Sequence, residues 1–352
     1  VCLGETTSYP DARDTLLDVN ATRNRFGRTP RLGIGVLSGG REDLVLACLQ
    51  SARKNAVTNP YVVLVCDGWL PSDAVKTLAD ETILIGGINT DTAKPAWSGI
   101  SKGWNTCLQA MLTHDVDVCV IQNDDTWLPP TWDQIYLDAF LEDPRRHCVC
   151  AVDRGVAQTL FPDIVPWTRE QAWSQLPPDA ESASAFYPGG FAAWVESWDR
   201  LLRQSRVPSF LPCRMNGAGF ALTRTCVETL GGFDETFKPP GTSEDHDYWM
   251  RLLLYYGPNA MGTATKLFMH HWRSATLSVQ PRQWAEGNAD RNAKIFERKW
   301  LSTPDDKRLW DWFGTPPGEA NAFPWNVALV PPPSGVGTHD PRACGPTYVV
   351  SP

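Results

Sequence analysis

Short apolar runs rich in valine, isoleucine and leucine alternate along this chain with longer stretches whose apolar residues recur at helical spacing. Residues 31–37, 61–66, 82–85, 116–121, 148–152 and 266–269 read as strands, each a compact run closed by glycine, proline or polar residues. Residues 42–55, 71–80, 100–111, a stretch completed by 137–142, one opening at Ser243 and a last one over 287–300 read as helices. Strand and helix in repeated alternation predict an α/β fold with a mostly parallel sheet flanked by helices. In the run at 116–121, Val116, Val118, Val120 and Ile121 occupy both alternations, as in a strand covered on both faces, and Pro129 and Pro130 forbid its continuation.

The polar residues that matter fall where these strands end. Asn123, Asp124 and Asp125 follow the fourth run directly. In open α/β sheets ligands bind at that carboxyl edge, where loops vary while the sheet holds them rigid. Two carboxylates and an amide suit a hard divalent cation, the alternative being a solvated Asx turn. Asp67-Gly68 closes the second run at the same edge and offers an acceptor to a base or ribose. Ser38-Gly39-Gly40-Arg41 makes a tight turn whose small residues let a backbone approach a nucleotide, or simply serve the turn. The helix opening Ile100-Ser101-Lys102 presents orphan N–H groups that suit a phosphate.

Composition narrows the classes. The 352 residues, 42% of them hydrophobic, can bury a large core, as one big α/β domain or as one domain with a substantial insertion. A net charge of -8 without a Lys/Arg cluster argues against nucleic acid as the main ligand, and no apolar run reaches membrane-spanning length. Ten cysteines with no CxxC pair favour thiols in a reducing compartment, hence the cytoplasm. A secretory lumen stays open: Cys213 and Cys226 would bridge there and Asn20-Ala21-Thr22 would be a glycosylation sequon. The start at Val1 without a signal-peptide pattern reads as a processed or trimmed terminus.

In order and spacing, residues 38–41, 67–68, 101–105 and 121–126 resemble the nucleotide-sugar half of a GT-A glycosyltransferase of the inverting family 2 type. Asn123-Asp124-Asp125 falls where that family keeps its DxD motif, with the asparagine variant of its rhamnosyltransferase-like branch. The resemblance implies a manganese or magnesium ion on Asp125, a ribose or metal contact from Asn123, and Asp67 reading the base. It adds Ser38, Arg41, Lys102, Asn105 and Asp124 as contacts to a nucleoside-diphosphate sugar.

The later half carries a second signature. Residues 215–224 form a glycine-rich strand, Gly231-Gly232-Phe233-Asp234 a turn, and Ser243-Glu244-Asp245-His246-Asp247 an acidic helix start. Ser243 reads as the N-cap, with Glu244 and Asp245 in the first turn where the helix dipole favours anions. Capping alone accounts for isolated acids there. The resemblance instead implies Gly217 and Gly219 under the donor sugar, Asp245 with Glu244 as the catalytic pair, and Asp247 with Trp249 on the side of a glycan or other hydroxyl acceptor. It also implies a late histidine as a metal or diphosphate ligand, His271 having the better spacing and His270 standing in reserve, against a plain core or surface histidine.

The chain therefore divides into an extension (1–30), a nucleotide-sugar half (31–153), an insertion rich in proline and tryptophan (154–212), an acceptor and catalytic half (213–302) and a proline-rich tail (303–352). Trp167, Trp173, Trp194 and Trp198 in the insertion stack on sugar rings in one reading and pack a helix near 193–203 onto the main domain in the other. The expected activity is metal-dependent inverting sugar transfer. The alternative is a catalytically inactive subunit that binds carbohydrate or serves a larger assembly through its extensions. A metal hydrolase built on Glu244, Asp245, His246, Asp247 and the His270-His271 pair is weaker for want of HExxH-like spacing.

Overall fold

The computed structural model describes residues 26–87, 97–153, 200, 203, 207–212, 215–239, 241–272 and 282–300, with side chains of the last helix from 287 on. The N-terminal extension with Asn20, nearly all of the tryptophan-rich insertion, Cys213 and the tail lie outside the described residues. An eight-stranded sheet organises the rest. Its strands are β1 (Leu32–Ser38), β2 (Tyr61–Asp67), β3 (Glu81–Ile85), β4 (Val118–Asn123), β6 (Cys148–Val152), β7 (Phe210–Pro212), β8 (Gly219–Thr223) and β9 (Met261–Phe268), in the order β3-β2-β1-β4-β8-β6-β9-β7. Strands β3, β2, β1 and β4 pair in parallel; β8 runs antiparallel between β4 and β6, and β9 is again parallel to β6. A separate two-stranded ladder joins β5 (Thr126–Trp127) to β10 (His270–His271). This is the mostly parallel α/β architecture that the alternating pattern predicts.

Successive residues of the central strands feed two different cores, which is why the runs are apolar at every position. Ile34, Val36, Val62, Leu64, Val118 and Val120 face a core shared with α1 (Glu42–Lys54) and α4 (Trp132–Glu142). Val63, Val65, Cys119, Ile121, Cys148 and Phe220 face the opposite core, shared with α3 (Ile100–Thr113), α5 (Arg224–Leu230) and α6 (Glu244–Tyr256). Helix α3 packs closely on β1 because Gly35 lacks a side chain: a Cβ there would fall on Cys107. Asp67 fixes the start of that helix, its carboxylate accepting the N–H groups of Ser98 (2.7 Å) and Gly99 (2.9 Å).

Several boundaries move. Of the helix expected over 71–80 only α2 (Asp73–Lys76) forms, since the Asp80 carboxylate is drawn to the Val62 N–H and the chain turns straight into β3. Strand β9 begins at Met261, before the apolar run that marks it, because β6 pairs with it from Cys148 onward. Helix α5 escapes the pattern through its shortness; Thr223 caps it through the Cys226 N–H. Strand β7, inside the expected insertion, pairs with β9 and edges the main sheet. Helix α7 (Arg282–Trp300) closes the described chain. Among the described residues seven cysteines are buried, Cys226 with its thiol beside the Tyr248 hydroxyl. No helix among the described residues is long and apolar enough to cross a membrane.

Candidate functional site

The carboxyl edge of the parallel strands gathers the charges. Past β4 the chain turns sharply, locked by Gln122 Nε2 donating to Thr126 Oγ1 (2.6 Å) and by that hydroxyl donating to the Asn123 carbonyl (2.8 Å). It returns as β5, whose Thr126 lies opposite His271 of β10. The Trp272 N–H donates to the Asp125 carbonyl at 2.9 Å, and the Met269 N–H to the Val152 carbonyl at 2.8 Å. The segment 269–272 is thus tied on one side to the acidic turn and on the other to the end of β6.

This brings His271 Nε2 to 3.2 Å from Asp125 Oδ1 and His271 Nδ1 to 3.7 Å from Asp153 Oδ2. Burial alone would lower the imidazole's pKa, but the two carboxylates outweigh it and raise it to about 9, so at neutral pH the ring is the cation of the cluster. Neighbouring corners of an octahedron with ~2.1 Å metal–oxygen bonds lie roughly 3.0 Å apart, so Asp125 Oδ1 and His271 Nε2 are spaced as two adjacent ligands of a magnesium-sized ion. No group of three or more His, Cys, Asp or Glu side chains among the described residues is arranged to hold a metal ion by itself. A carboxylate and an imidazole are a partial donor set, of the kind completed by water and substrate phosphate.

Asp245 reaches the same edge from α6. A Cβ on Gly217 would fall on Asp245 Oδ2, and the next residue, Ala218, accepts the Asn123 N–H through its carbonyl at 3.0 Å. Asn216 shapes this turn by accepting the Ala218 N–H at 3.0 Å. The two acidic clusters, far apart in sequence, therefore flank one glycine-containing turn. His246 clamps Asp245: its N–H donates to Asp245 Oδ1 at 2.8 Å and its Nδ1 lies 3.0 Å from the same oxygen. Burial works to raise the Asp245 pKa, yet the His246 charge and hydrogen bonds hold it below the usual carboxylate range, which keeps the group ionised. Glu244 goes the other way, pushed up to about 8 by burial and by the Asp245 charge, and its carboxylate takes the Thr242 N–H. Ser243 stands at the N-cap position but in the left-handed region (φ 71°) and without a side-chain cap; its carbonyl accepts the Asp247 N–H at 2.9 Å. The expected serine cap does not form, and Glu244 folds back to accept the N–H of Thr242, ahead of the helix.

Other expected ligands are committed to the scaffold. Asn105 holds the Gly-Gly-Phe-Asp turn, accepting the Phe233 N–H at 2.7 Å and donating to the Phe233 carbonyl and Glu235 at 2.9 Å each. Asp247, fully buried, pairs with Arg251 Nε (3.1 Å) and Lys299 Nζ (2.7 Å) and accepts from Trp300 Nε1 (2.9 Å). Trp249 is buried in the core with its ring edge-on to His246. Asp247 and Trp249 therefore belong to the packing of α6 against its neighbours, which corrects the expectation that they face an acceptor.

Ser38, Asp67 and Asn123 close β1, β2 and β4. Ser38, buried, accepts the Gly40 N–H at 3.1 Å, and Arg41 pairs with Asp43 at 2.8 Å. Burial raises the Asp67 pKa against the two N–H groups it holds. Lys102 is half exposed, 3.8 Å from Glu235. Asp124 is buried, and Asn123 is partly exposed with no side-chain hydrogen bond among the described residues. Gly219 gives room to Gln122 and Met269. His270, buried, stacks edge-on with Trp272 on the far side of the strand from His271.

Two residues escaped the sequence reading. Asp153 follows the apolar run 148–152 directly, just as Asp67 ends β2, and that parallel was its signal. His246 enters the sequence reading only through the hydrolase alternative, since nothing local shows that it bonds its own neighbour.

No family model matches the chain, and no curated protein does. Among solved structures it is similar to glucosyl-3-phosphoglycerate synthase from Mycobacterium tuberculosis in complex with Mn2+, UDP and glucosyl-3-phosphoglycerate, with a TM-score of 0.46, 10% identity and coverage of 86% of this chain and 88% of that one. It is similar also to GalNAc-T7 with UDP, GalNAc and Mn2+, at a TM-score of 0.45 and 12% identity over 81% and 49% of the two chains. The mannosyltransferase PcManGT from Pyrobaculum calidifontis in complex with GDP-Man and Mn2+ gives a TM-score of 0.37 and 17% identity over 66% and 56%.

Proposed function

We propose that this chain transfers a sugar from a nucleoside-diphosphate sugar to a hydroxyl group of a glycan or other acceptor, with inversion at the anomeric carbon. The support lies in its own residues. The observation that carries the reading is the meeting of the Asp125–His271 pair and Asp245 on the two sides of the Gly217–Ala218 turn, at the edge where Ser38, Asp67 and Asn123 end adjacent parallel strands.

Asp125 and His271 would hold a manganese or magnesium ion. When bound, the ion supplies positive charge against a departing diphosphate. The acceptor oxygen forms its bond to the anomeric carbon while the carbon–oxygen bond to the diphosphate breaks, the electron pair leaving with the phosphate oxygen. Asp245, held ionised and oriented by His246, takes the acceptor's proton as general base. Glu244, whose raised pKa leaves it largely protonated, stands beside it as a neutral neighbour that spares Asp245 a second negative charge. Gly217 leaves room for the Asp245 carboxylate, and Gly219 for the side chains of Gln122 and Met269.

A thermal-shift screen of UDP-, GDP- and dTDP-sugars, with and without Mn2+, tests the donor half. Stabilisation by one nucleotide sugar only when Mn2+ is present is the expected result. For that donor, Asp245→Asn should retain the stabilisation and lose transfer by about 10²-fold or more, and NMR of the product should show the opposite anomer. Stabilisation without turnover would leave a carbohydrate-binding subunit; a product of retained configuration would remove Asp245 from the role of base.

A further inference from the structure

One imidazole is flanked by two carboxylates on its two different nitrogens. His271 Nε2 faces Asp125 Oδ1 at 3.2 Å, and His271 Nδ1 faces Asp153 Oδ2 at 3.7 Å. Nδ1 is buried and has no hydrogen bond among the described residues, and Asp153 is the carboxylate that faces it as an ion-pair partner. The backbone fixes the partners: the Met269 N–H bonds the carbonyl of Val152, the residue before Asp153, while β10 pairs with β5 beside Asp125. Asp153 is itself 2% exposed. A carboxylate buried this deeply, at the end of a strand, against the ring nitrogen that turns away from Asp125 is poorly placed to be a third ligand beside Nε2. It is well placed to hold the ring.

We propose that Asp153 is a positioning residue for His271: it retains the proton on Nδ1 and sets the ring plane, so that Nε2 is the nitrogen presented beside Asp125. A metal-binding imidazole commonly hands its second nitrogen to such a carboxylate, which fixes the tautomer and makes the ligating nitrogen more basic. The inference rests on the reading of Asp125 and His271 as the cation pair, and the ligand class it concerns is a divalent cation with at least one open coordination corner.

Mn2+ binding measured by EPR on the full chain, without any sugar donor, tests it. Asp153→Asn should weaken Mn2+ about 10- to 100-fold with an unchanged melting temperature in EDTA, and Asp153→Glu should recover part of the loss. Asp125→Asn should abolish binding. An Asp153→Asn protein that binds Mn2+ within twofold of the parent overturns the positioning role while the cation pair stands. A parent chain that binds no Mn2+, or an Asp125→Asn variant that binds as well as the parent, overturns the pair itself and the inference with it. A second measurement is independent of whether the variants fold. In the Zn2+-loaded parent, 15N NMR of the His271 ring should show metal on Nε2 and the proton on Nδ1; metal on Nδ1 overturns the proposal.

Discussion

The carboxylate of Asp245 occupies the place where a β-carbon of Gly217 would stand. Gly217 is therefore a point of close approach between the turn before β8 and the start of the acidic helix α6, and any side chain there must push Asp245 away. Gly217→Ala should lower kcat by about 100-fold, the loss that a displacement of roughly 1 Å can cause at a reacting group, while Mn2+ binding at Asp125 and His271 stays near the parent value. Equal losses in kcat and in Mn2+ affinity would mean that the turn supports the whole edge and not Asp245 in particular.

Asp247 predicts the opposite profile. Its carboxylate pairs with Arg251 on α6 itself and ties that helix to α7 through Lys299 and Trp300, all within 3.1 Å. Removing one partner of a buried ion pair leaves an uncompensated charge, so Asp247→Ala should cost about 3–5 kcal/mol of stability. Urea denaturation measures this. A stable variant whose acceptor KM alone has risen would return Asp247 to the acceptor side.

The sheet was legible because each central strand feeds two cores, and a run apolar at both alternations can be read without knowing its neighbours. So were the carboxylates that end β2 and β4, since strand ends announce themselves. What could not be read was which polar side chains the scaffold consumes. Asn105 meets Phe233 and Glu235, and Asp247 meets Lys299, across long stretches of chain that carry no local mark of the pairing. The meeting of His271 with Asp125 depends on a ladder of two residues per strand, too short to leave a periodic trace. Asp153 is different: it follows its strand as openly as Asp67 does, and was passed over because no motif surrounds it.

The His271 cluster gives stability a pH dependence of definite sign. Its folded pKa, about 9, is raised above the ordinary 6.5, because Asp125 and Asp153 more than offset the lowering by burial. The stabilisation is complete below the unfolded value and is lost as pH rises from 6.5 through 9. The shift corresponds to about 3 kcal/mol. Urea midpoints in EDTA should fall more steeply across that window for the parent than for His271→Gln, which keeps only the Glu244 slope up to about pH 8; parallel curves for the two proteins would mean that the pair contributes nothing to stability.

Glu244 adds a second slope at lower pH. Burial first, and the Asp245 charge after it, raise its pKa from 4.5 to about 8. Between those values the folded chain holds a proton that the unfolded chain has released, so stability falls as pH rises through the window. Glutamine keeps an acceptor for the Thr242 N–H that Glu244 binds and never ionises. Glu244→Gln should therefore match the parent near pH 4.5 and exceed it in melting temperature at pH 8.5, with the gap opening steadily between. The same variant separates the two acids in catalysis, because a neutral neighbour is what the site already holds at neutral pH. Transfer should survive Glu244→Gln within about tenfold, where loss of a true general base costs 10²-fold or more. A variant that is stable yet inactive would move the proton acceptor from Asp245 to Glu244.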